Sequence, residues 1–470
     1  MRLRFLAVSL LCLVTGTAGA QAGKPGKSPE LRIDYTQETL PNGLTVVYHV
    51  DHSTPVAAVL LWYNVGSKME QPGRTGFAHL FEHMMFKGSR NVPDGQHWSL
   101  LEAAGGRAGA DINGTTNWDR TNYFEQLPSN QVELALWLES DRMGTLTETL
   151  TKEKLDNQRE VVKNERRQSV DNQPYGTWLE KSEELLYPES HPYHHSIIGS
   201  MADLSAASVD DVRSFFKTYY APNNAVLVIA GDIDVPQTKA MVRKYFGPIP
   251  RGPNPPKLAN MSLPATIGRE QRIVVQDALA PAPRVYVAYR VPADKDRRAP
   301  VVDILATVIG GGRSSRLDES LVRKREIATS VSGFNLNLAD GADMLVFLAT
   351  GKPGSSPDSL ERALLGELAG TSSFTVAELE RAQASQRFQF VDGLQTTGGF
   401  GGRADLLAEG WTYYHDPNYV NTALRQIDRV TLNDLNALAR ERLVPTNRVI
   451  LVYVPVKKTA SQTSATRIPQ

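Results

Sequence analysis

The sequence predicts an α+β protein with two structurally related domains, each a mixed sheet packed with helices, joined by a proline-rich linker. The chain has 470 residues, which is too long for one ordinary hydrophobic core. Five prolines fall within residues 248–256 and would interrupt a helix or a central strand. On each side of this break the same order recurs: a strand pair, a helix, and a turn rich in Gly, Ser and Arg.

The first half opens on two β-rich runs, residues 44–50 and 57–63, which predict a strand pair followed by a helix. Turns close the pattern at residues 88–90 in the first half and 312–317 in the second. We interpret the halves as a diverged duplication, although chance similarity of two α+β segments stays open. The segment that matches the first-half helix is 305–311, which has no His and no carboxylate.

The N-terminus predicts a secretory signal peptide, because Arg2 and Arg4 precede a ten-residue apolar stretch and residues 18–20 resemble a small-residue cleavage site. A membrane anchor is the alternative, but such a stretch covers only half of the roughly 20 residues that a spanning helix needs. We therefore expect an exported, periplasmic protein without a membrane span. The predicted organisation is a signal peptide at 1–20, a flexible lead-in at 21–34, a first domain at 35–247, a linker at 248–262, a second domain at 263–458 and a flexible tail at 459–470.

Composition narrows the classes of function. Lys and Arg together balance Asp and Glu at 51 each, so no global basic field exists to collect nucleic acid. The only cysteine, Cys12, lies inside the predicted signal peptide. A metal site in the mature chain would therefore use His and carboxylate ligands rather than thiolates.

Residues 79–83 read HLFEH, and on a helix the four-residue spacing places His79 and His83 on one face, close enough to share one ion. Thr75 is the expected N-cap, and Lys87 followed by Gly88 is the expected C-terminal stop. Glu82 lies about 100° around the helix from His83 and is the candidate general base. The simpler alternative is a solvated or core-satisfied His pair beside a surface Glu.

Two imidazoles leave a catalytic zinc without a third protein ligand, and helix periodicity suggests where it lies. Residues 151–168 form a predicted helix whose inward face carries Gln158 and Glu165 with an apolar stripe of Leu155, Val161 and Val162. We favour Glu165 as the ligand over Glu160, which falls on the polar face. The alternative for Glu165 is a salt bridge to Arg159 or Arg166.

With these residues in place, the chain resembles the pitrilysin, insulysin and mitochondrial processing peptidase family, the inverted zincin metallopeptidases. The resemblance covers about residues 35–455. The matching blocks are 74–89 (RTGFAHLFEHMMFKGS), 161–165 (VVKNE), 191–193 (HPY) with 198–199 (IG), 219–231 (YYAPNNAVLVIAG) and 310–317 (GGGRSSRL).

The resemblance implies a zinc endopeptidase that holds one Zn²⁺ per chain on His79, His83 and Glu165. It implies that Glu82 takes a proton from the water that attacks the peptide carbonyl. It also implies that a peptide substrate adds as a strand to a sheet edge of the first, catalytic domain. The matching part is residues 110–116, with Ala110, Asn113 and Thr115 as expected substrate contacts and Asn113 as a main-chain contact. An ordinary turn at Asn113 and Gly114 is the alternative.

Two departures from the family pattern affect the expected function. Relatives often carry a Glu beside the metal ligands where this chain has Gln158, which cannot neutralise charge as a carboxylate does. Active relatives also place an Arg and, seven residues later, a Tyr in a segment like 321–331, where this chain has Val322 and Thr329. Moving the register to Arg323 places Ser330 at the Tyr position.

Some family members divide this work between two chains, so we expect this chain to be the metal-bearing subunit of a heterodimer. Its partner would be a homologous non-metal subunit that carries Arg-x6-Tyr, and a homodimer is the less favoured arrangement. One alternative function is a non-catalytic structural or binding subunit of the same fold. Another is a metal-dependent hydrolase of non-peptide substrates. Residues His97, His194, His195 and His415 are expected to be surface or polar-core residues.

Overall fold

Two mixed sheets with the same strand order organise the protein. The computed structural model describes residues 31–456 except Asn260 and Ser372. The predicted signal peptide with Cys12, most of the lead-in and the predicted tail lie outside the described residues. Residues 33–456 pack as one unit, so the predicted boundaries around the linker remain predictions.

The first sheet has the order β1-β2-β6-β3-β5-β4, with β2 and β6 parallel and the other neighbours antiparallel. Its strands are β1 (Thr36–Thr39), β2 (Thr45–Val50), β3 (Val56–Tyr63), β4 (Ile112–Thr116), β5 (Thr121–Pro128) and β6 (Ala225–Gly231). The helices of this half are α1 (Phe77–Met84), α2 (Gln96–Ala103), α3 (Val132–Thr145), α4 (Lys152–Arg166), α5 (Trp178–Leu186), α6 (Met201–Ala206), α7 (Val209–Tyr219) and α8 (Val235–Phe246).

The second sheet has the order β7-β11-β8-β10-β9, with β7 and β11 parallel. Its strands are β7 (Gln271–Asp277), β8 (Arg284–Pro292), β9 (Ala328–Asn335), β10 (Ala342–Gly351) and β11 (Arg448–Pro455). The helices of this half are α9 (Ala299–Gly310), α10 (Pro357–Ala369), α11 (Val376–Gly393), α12 (Arg403–Tyr414), α13 (Ala423–Arg429) and α14 (Leu432–Arg442). With β1 set aside, the two sheets match strand for strand, which supports the interpretation of a duplication.

The predicted strand pair is wrong in one respect, because β2 and β3 form but are not neighbours. Strand β6 lies between them, parallel to β2 and antiparallel to β3. Every residue of β6 is buried, and its run AVLVIAG has the continuous apolar character of a strand covered on both faces. A pattern read along the sequence cannot reveal a strand that is inserted from a position far along the chain.

Three apolar clusters hold this architecture together. One lies under the first sheet around Leu227 and Ile229, and a second lies under the second sheet around Val287 and Leu305. The third combines side chains of both halves; its members include Trp118, Tyr187 and Tyr193 from the first half and Tyr286, Met344 and Leu451 from the second. Within residues 31–456, no helix is both long and apolar enough to cross a bilayer.

The buried strand β6 and the edge strand β7 provide a matched pair of valines that tests the burial of β6. Val228 in β6 is 0% exposed, whereas Val274 in the edge strand β7 is 46% exposed. We expect Val228→Ala to lower the free energy of unfolding by about 2 kcal/mol, because it removes two buried methyl groups and leaves a cavity. Val274→Ala should change it by less than about 0.5 kcal/mol. Urea denaturation followed by circular dichroism measures both, and equal losses would contradict the placement of β6.

Candidate metal centre

Helix α1 carries the HLFEH motif, and its start differs from the prediction. The residue before the helix is Gly76, whose φ of 87° is in the left-handed region that favours glycine. Thr75 is therefore not the N-cap, and its hydroxyl instead donates to Asp203 Oδ2 at 2.6 Å. The helix ends at Met84, and one further turn, in which Lys87 N–H donates to the Met84 carbonyl, leads to Gly88 at a φ of 91°.

The two imidazoles of α1 meet on one face of the helix, as the spacing predicts. His79 Nε2 and His83 Nε2 lie 3.3 Å apart, and the two rings are almost perpendicular, with an interplanar angle of 89°. Two nitrogens at this distance cannot both direct a proton at the other. The geometry fits two lone pairs that point at one common position.

Helix α4 brings a carboxylate to the same position. Glu165 Oε2 lies 3.6 Å from His79 Nε2 and 3.4 Å from His83 Nε2. The buried face of α4 consists of Leu155, Gln158 and Val162. The predicted apolar stripe is wrong for Val161, which is 41% exposed, because it lies about 100° around the helix from Val162.

The alternatives considered for Glu165 do not describe its contacts. Glu160 is 60% exposed and accepts from Lys163. Arg159 pairs with Asp156 and donates to the Ala207 carbonyl. Arg166 pairs with Glu180, so neither arginine forms an ion pair with Glu165 among the described residues.

The three donor atoms fit a zinc ion. Zinc held at about 2.0–2.1 Å in a tetrahedral site separates its ligand atoms by about 3.3–3.4 Å, and the observed separations are 3.3, 3.4 and 3.6 Å. Burial lowers the pKa of His79 to about 4, and the adjacent His83 contributes, so the neutral imidazole that a metal requires is favoured. The hydrogen bond with His83 lowers the pKa of Glu165, which keeps the carboxylate ionised.

Glu82 lies beside this group without joining it. Its side chain is 8% exposed, and Thr116 Oγ1 donates to Glu82 Oε2 at 2.6 Å. Burial raises the pKa of Glu82, although the hydrogen bond from Thr116 favours the ionised form. The sequence reasoning missed Thr116, and the signal that could have found it is its alternation with Ile112 and Gly114 on one face of β4.

His79, His83 and Glu165 are called the candidate metal-binding group. Gln158 contacts this group, as expected from its place on α4. Its side chain is buried and donates to Asn157 Oδ1 at 2.8 Å. It also hydrogen-bonds the ring of His83, and burial, which disfavours the imidazolium, is outweighed by Glu165, Glu82 and this amide, so that the pKa of His83 is raised. The amide thus orients an imidazole without adding charge.

Strand β4 is the last strand of its sheet, and beyond Ile112 no described strand pairs with its outer side, which is called the open side. Ile112 N–H donates to the Arg107 carbonyl, and Gly109 N–H donates to the Ile112 carbonyl, so the Ile112 main chain faces away from β5. Because main-chain groups alternate along a strand, those of Gly114 and Thr116 also face the open side.

The three residues expected to contact the substrate, Ala110, Asn113 and Thr115, have different surroundings. The main chain of Asn113 faces β5, and its side-chain amide donates to the Gly109 carbonyl at 3.2 Å; its role as a substrate contact stays a prediction. The hydroxyl of Thr115 donates to Asn122 Oδ1 at 2.6 Å. Ala110 lies in the turn before β4 and is exposed.

A second group with metal-ligand chemistry comprises His97, Glu125 and Glu139, all buried. Arg142 lies among these side chains and forms ion pairs with both carboxylates. A guanidinium already supplies the positive charge that the carboxylates need. This group is therefore a closed internal ion cluster rather than a metal centre.

The remaining histidines lie outside the metal-binding group. His415 is exposed at the end of α12 with a φ of 55°, and His194 Nδ1 lies 2.8 Å from the Tyr187 carbonyl. His195 lies 3.0 Å from Glu70 Oε2, a contact with a role that the sequence reasoning missed.

Comparison with known proteins identifies the family of the chain. Residues 45–183 match the family model Insulinase (Peptidase family M16), and residues 206–386 match the model Peptidase M16 inactive domain. The chain belongs to peptidase family M16. The two models together account for most of this M16 chain, with the metal-binding motif and Glu165 in the first.

Relatives of this M16 chain include zinc proteases of about the same length. It is 28% identical to the zinc protease PqqE of Helicobacter pylori over 461 residues, which covers 96% of this chain and 98% of that protein. It is 26% identical to the β subunit of the mitochondrial-processing peptidase of Blastocladiella emersonii, covering 91% of this chain and 90% of that subunit. The solved structure of a protease from Helicobacter pylori matches with a TM-score of 0.82 at 27% identity, covering 90% of this chain and all of that one.

Helix α4 provides a matched pair of carboxylates that tests the third ligand. We expect Glu165→Gln to weaken zinc binding at least tenfold, because the amide loses the charge that the cation requires. Glu160→Gln on the exposed face of the same helix should leave zinc affinity unchanged. Competition with a chromogenic chelator measures both variants. Equal affinity of the Glu165 variant and the wild type would contradict the ligand set.

Proposed function

We propose that this chain is a zinc-dependent endopeptidase that hydrolyses peptides or unfolded polypeptides, with one Zn²⁺ per chain on His79, His83 and Glu165. The observation that carries the proposal is the convergence of three donor atoms from two helices within 3.6 Å, with the buried Glu82 beside them. Membership of peptidase family M16 and the zinc proteases among its relatives support it.

The proposed chemistry divides between the metal and Glu82. When bound, zinc lowers the pKa of a water molecule and polarises a carbonyl oxygen. Glu82 accepts a proton from the attacking water and passes it to the leaving amine. Its burial supports this role, because a carboxylate with a raised pKa is a stronger base than an exposed one. Thr116 holds the Glu82 carboxylate in a fixed orientation.

The open side of β4 is the proposed binding place of the substrate backbone. A peptide strand added there would exchange main-chain hydrogen bonds with Gly114 and Thr116. Thr116 links the proposed substrate edge to the proposed base, because its side chain contacts Glu82 while its main chain faces the open side. Substrate alignment on the strand and orientation of the base thus depend on the same residue.

The second half lacks the Arg and Tyr that the family resemblance implies. Val322 packs against the second core, and the hydroxyl of Thr329 donates to the Thr350 carbonyl at 3.2 Å. We propose that a homologous non-metal subunit supplies Arg-x6-Tyr in a heterodimer, in preference to a homodimer. Export to the periplasm is also part of the proposal and is supported by the N-terminal sequence alone.

A non-catalytic structural or binding subunit of the same fold is the alternative. The model that matches residues 206–386 is described as an inactive domain, which suits a half of the chain that binds and shapes rather than catalyses. The first half retains three donor atoms and an adjacent buried carboxylate, and this complete set favours the peptidase.

The substitution Glu82→Gln separates metal binding from turnover. We expect zinc content to stay at one per chain, because Glu82 lies outside the ligand set, and peptide hydrolysis to fall by about 10²–10⁴-fold, because the base is lost. Metal analysis and a fluorogenic peptide assay measure the two quantities. Glu102→Gln, at an exposed position of α2, is the control. Retained turnover in the Glu82 variant would refute the proposed mechanism.

The proposed partner predicts that activity depends on a second chain. We expect the purified chain alone to hydrolyse peptides weakly and a neighbouring-gene homologue with Arg-x6-Tyr to raise the rate, because the substrate-holding pair would then be present. Size-exclusion chromatography should show a complex of one copy of each chain. Full activity of the chain alone would count against this pairing.

A further inference from the structure

Residues 191–200 (HPYHHSIIGS) contain two blocks of the family resemblance, yet they supply none of the residues of the proposed reaction. The segment has neither helix nor strand and connects α5 to α6. It contacts α1, α4 and the second half of the chain. These contacts suggest that the segment fixes the positions of the helices that carry the metal-binding residues.

The segment touches the start of α1 backbone to backbone. A Cβ at Gly76 would lie 2.7 Å from the Ile198 carbonyl oxygen, and a Cβ at Gly199 would lie 2.3 Å from the Thr75 carbonyl oxygen. Both glycines have positive φ, 87° and 74°. Two bare backbones in contact leave no room for a side chain that could flex, so the position of the helix start follows the position of the segment.

His195 holds the carboxylate that caps α1. Glu70 is buried, and its two oxygens accept from Gly76 N–H at 2.9 Å and from Ala78 N–H at 2.7 Å. These are among the free N–H groups at the positive end of the helix, where a carboxylate is favoured. His195 Nε2 lies 3.0 Å from Glu70 Oε2 and 3.0 Å from the Ser67 carbonyl oxygen. The imidazole therefore fixes the carboxylate that fixes the helix.

The same segment holds the end of α4. Arg166, the neighbour of Glu165, donates to the Gly199 carbonyl at 2.8 Å and pairs with Glu180. The Gly199 peptide thus contacts the start of α1 on one side and the end of α4 on the other. A single residue thus contacts both helices that carry the donor atoms.

At its other end the segment is attached to the second half. Tyr193 donates its hydroxyl proton to Asp119 at 2.6 Å and accepts from Asp340 N–H at 3.1 Å. His191 Nε2 lies 3.4 Å from the Met261 carbonyl oxygen. A displacement of the segment is opposed from both halves of the protein.

The His79 ring depends on this external support. His79 Nδ1 is buried and has no hydrogen-bond partner among the described residues, so no contact through that nitrogen fixes the ring. In zinc sites the second ring nitrogen commonly holds the imidazole in place. Here the position of the His79 ring depends on the position of α1.

We propose that segment 191–200 positions α1 and α4 so that their three donor atoms meet, and that His195, acting through Glu70, is its positioning residue. This inference rests on the proposed function, because it assumes that the donor atoms hold zinc. His195 is not a catalytic residue, since it contacts none of the reacting groups.

The test compares two neighbouring histidines in the full chain. We expect His195→Ala to weaken zinc affinity by about 10–100-fold and to shift the visible absorption bands of the cobalt-substituted protein, because α1 loses its fixed cap. His195→Gln should restore most of the affinity, since its amide can donate to Glu70. His194→Ala, which removes a contact with the Tyr187 carbonyl instead, should leave affinity and spectrum unchanged.

Chelator competition and cobalt spectra give the result without an activity assay, and circular dichroism verifies folding. If His195→Ala does not fold, the nearly isosteric Glu70→Gln takes its place with the same expected shifts. Wild-type affinity and an unshifted spectrum in the folded variant would overturn the inference. Failure of the wild type to bind one zinc per chain would instead overturn the proposed function on which the inference rests.

Discussion

The proposed function depends on one contact between two helices that are far apart in the sequence. Helix α1 supplies two imidazoles and α4 supplies one carboxylate, and the donor atoms lie 3.3 to 3.6 Å from one another. Without a metal ion, His83 hydrogen-bonds the Glu165 carboxylate. A divalent cation at the common position would bind all three donor atoms at once. The fold must hold α1 and α4 together before a metal ion can bind the three donor atoms and stabilise their arrangement.

The duplicated architecture explains why only one half carries this contact. Both sheets have the same strand order once β1 is set aside, and α9 follows β8 as α1 follows β3. In α9 the buried positions include Ile304, Leu305, Val308 and Ile309, so this helix packs into an apolar core. The part of α9 from residue 305 to 310 contains no His and no carboxylate, so it offers no side-chain metal ligand. It packs in the core of its own half.

The sequence predicted that His79, His83 and Glu165 lie together, because the signals for this convergence are local. The spacing of His79 and His83 follows from the helical repeat, and Glu165 follows from the phase of α4 relative to Leu155 and Val162. The predicted inward face of α4 was wrong for Val161, the neighbour of Val162, because its side chain is exposed. The convergence of these three side chains was predictable because two independent periodic patterns each had only a few candidates; their role as metal ligands stays a prediction.

What the sequence did not predict depends on contacts between distant segments. The insertion of β6 between β2 and β3 is a tertiary choice that no local pattern records. Thr75 is of a residue type that commonly caps helices, but its hydroxyl donates to Asp203 instead. Glu70 supplies the cap from outside the helix. In the sequence Thr116 resembles any other strand residue, and only the fold shows that it lies beside Glu82.

The join between the halves shows how the second half influences the centre without contributing a ligand. Lys68 Nζ lies 2.7 Å from a carboxylate oxygen of Asp119 and 2.7 Å from one of Asp340, and the Tyr193 hydroxyl contacts the same two residues. A buried ion pair adds little net stability, because desolvation offsets the attraction, but it penalises every arrangement that separates the charges. The network therefore selects one relative placement of the halves. Tyr193 belongs to the segment that contacts α1 and α4. The same network therefore constrains the positions of these two helices relative to the second half.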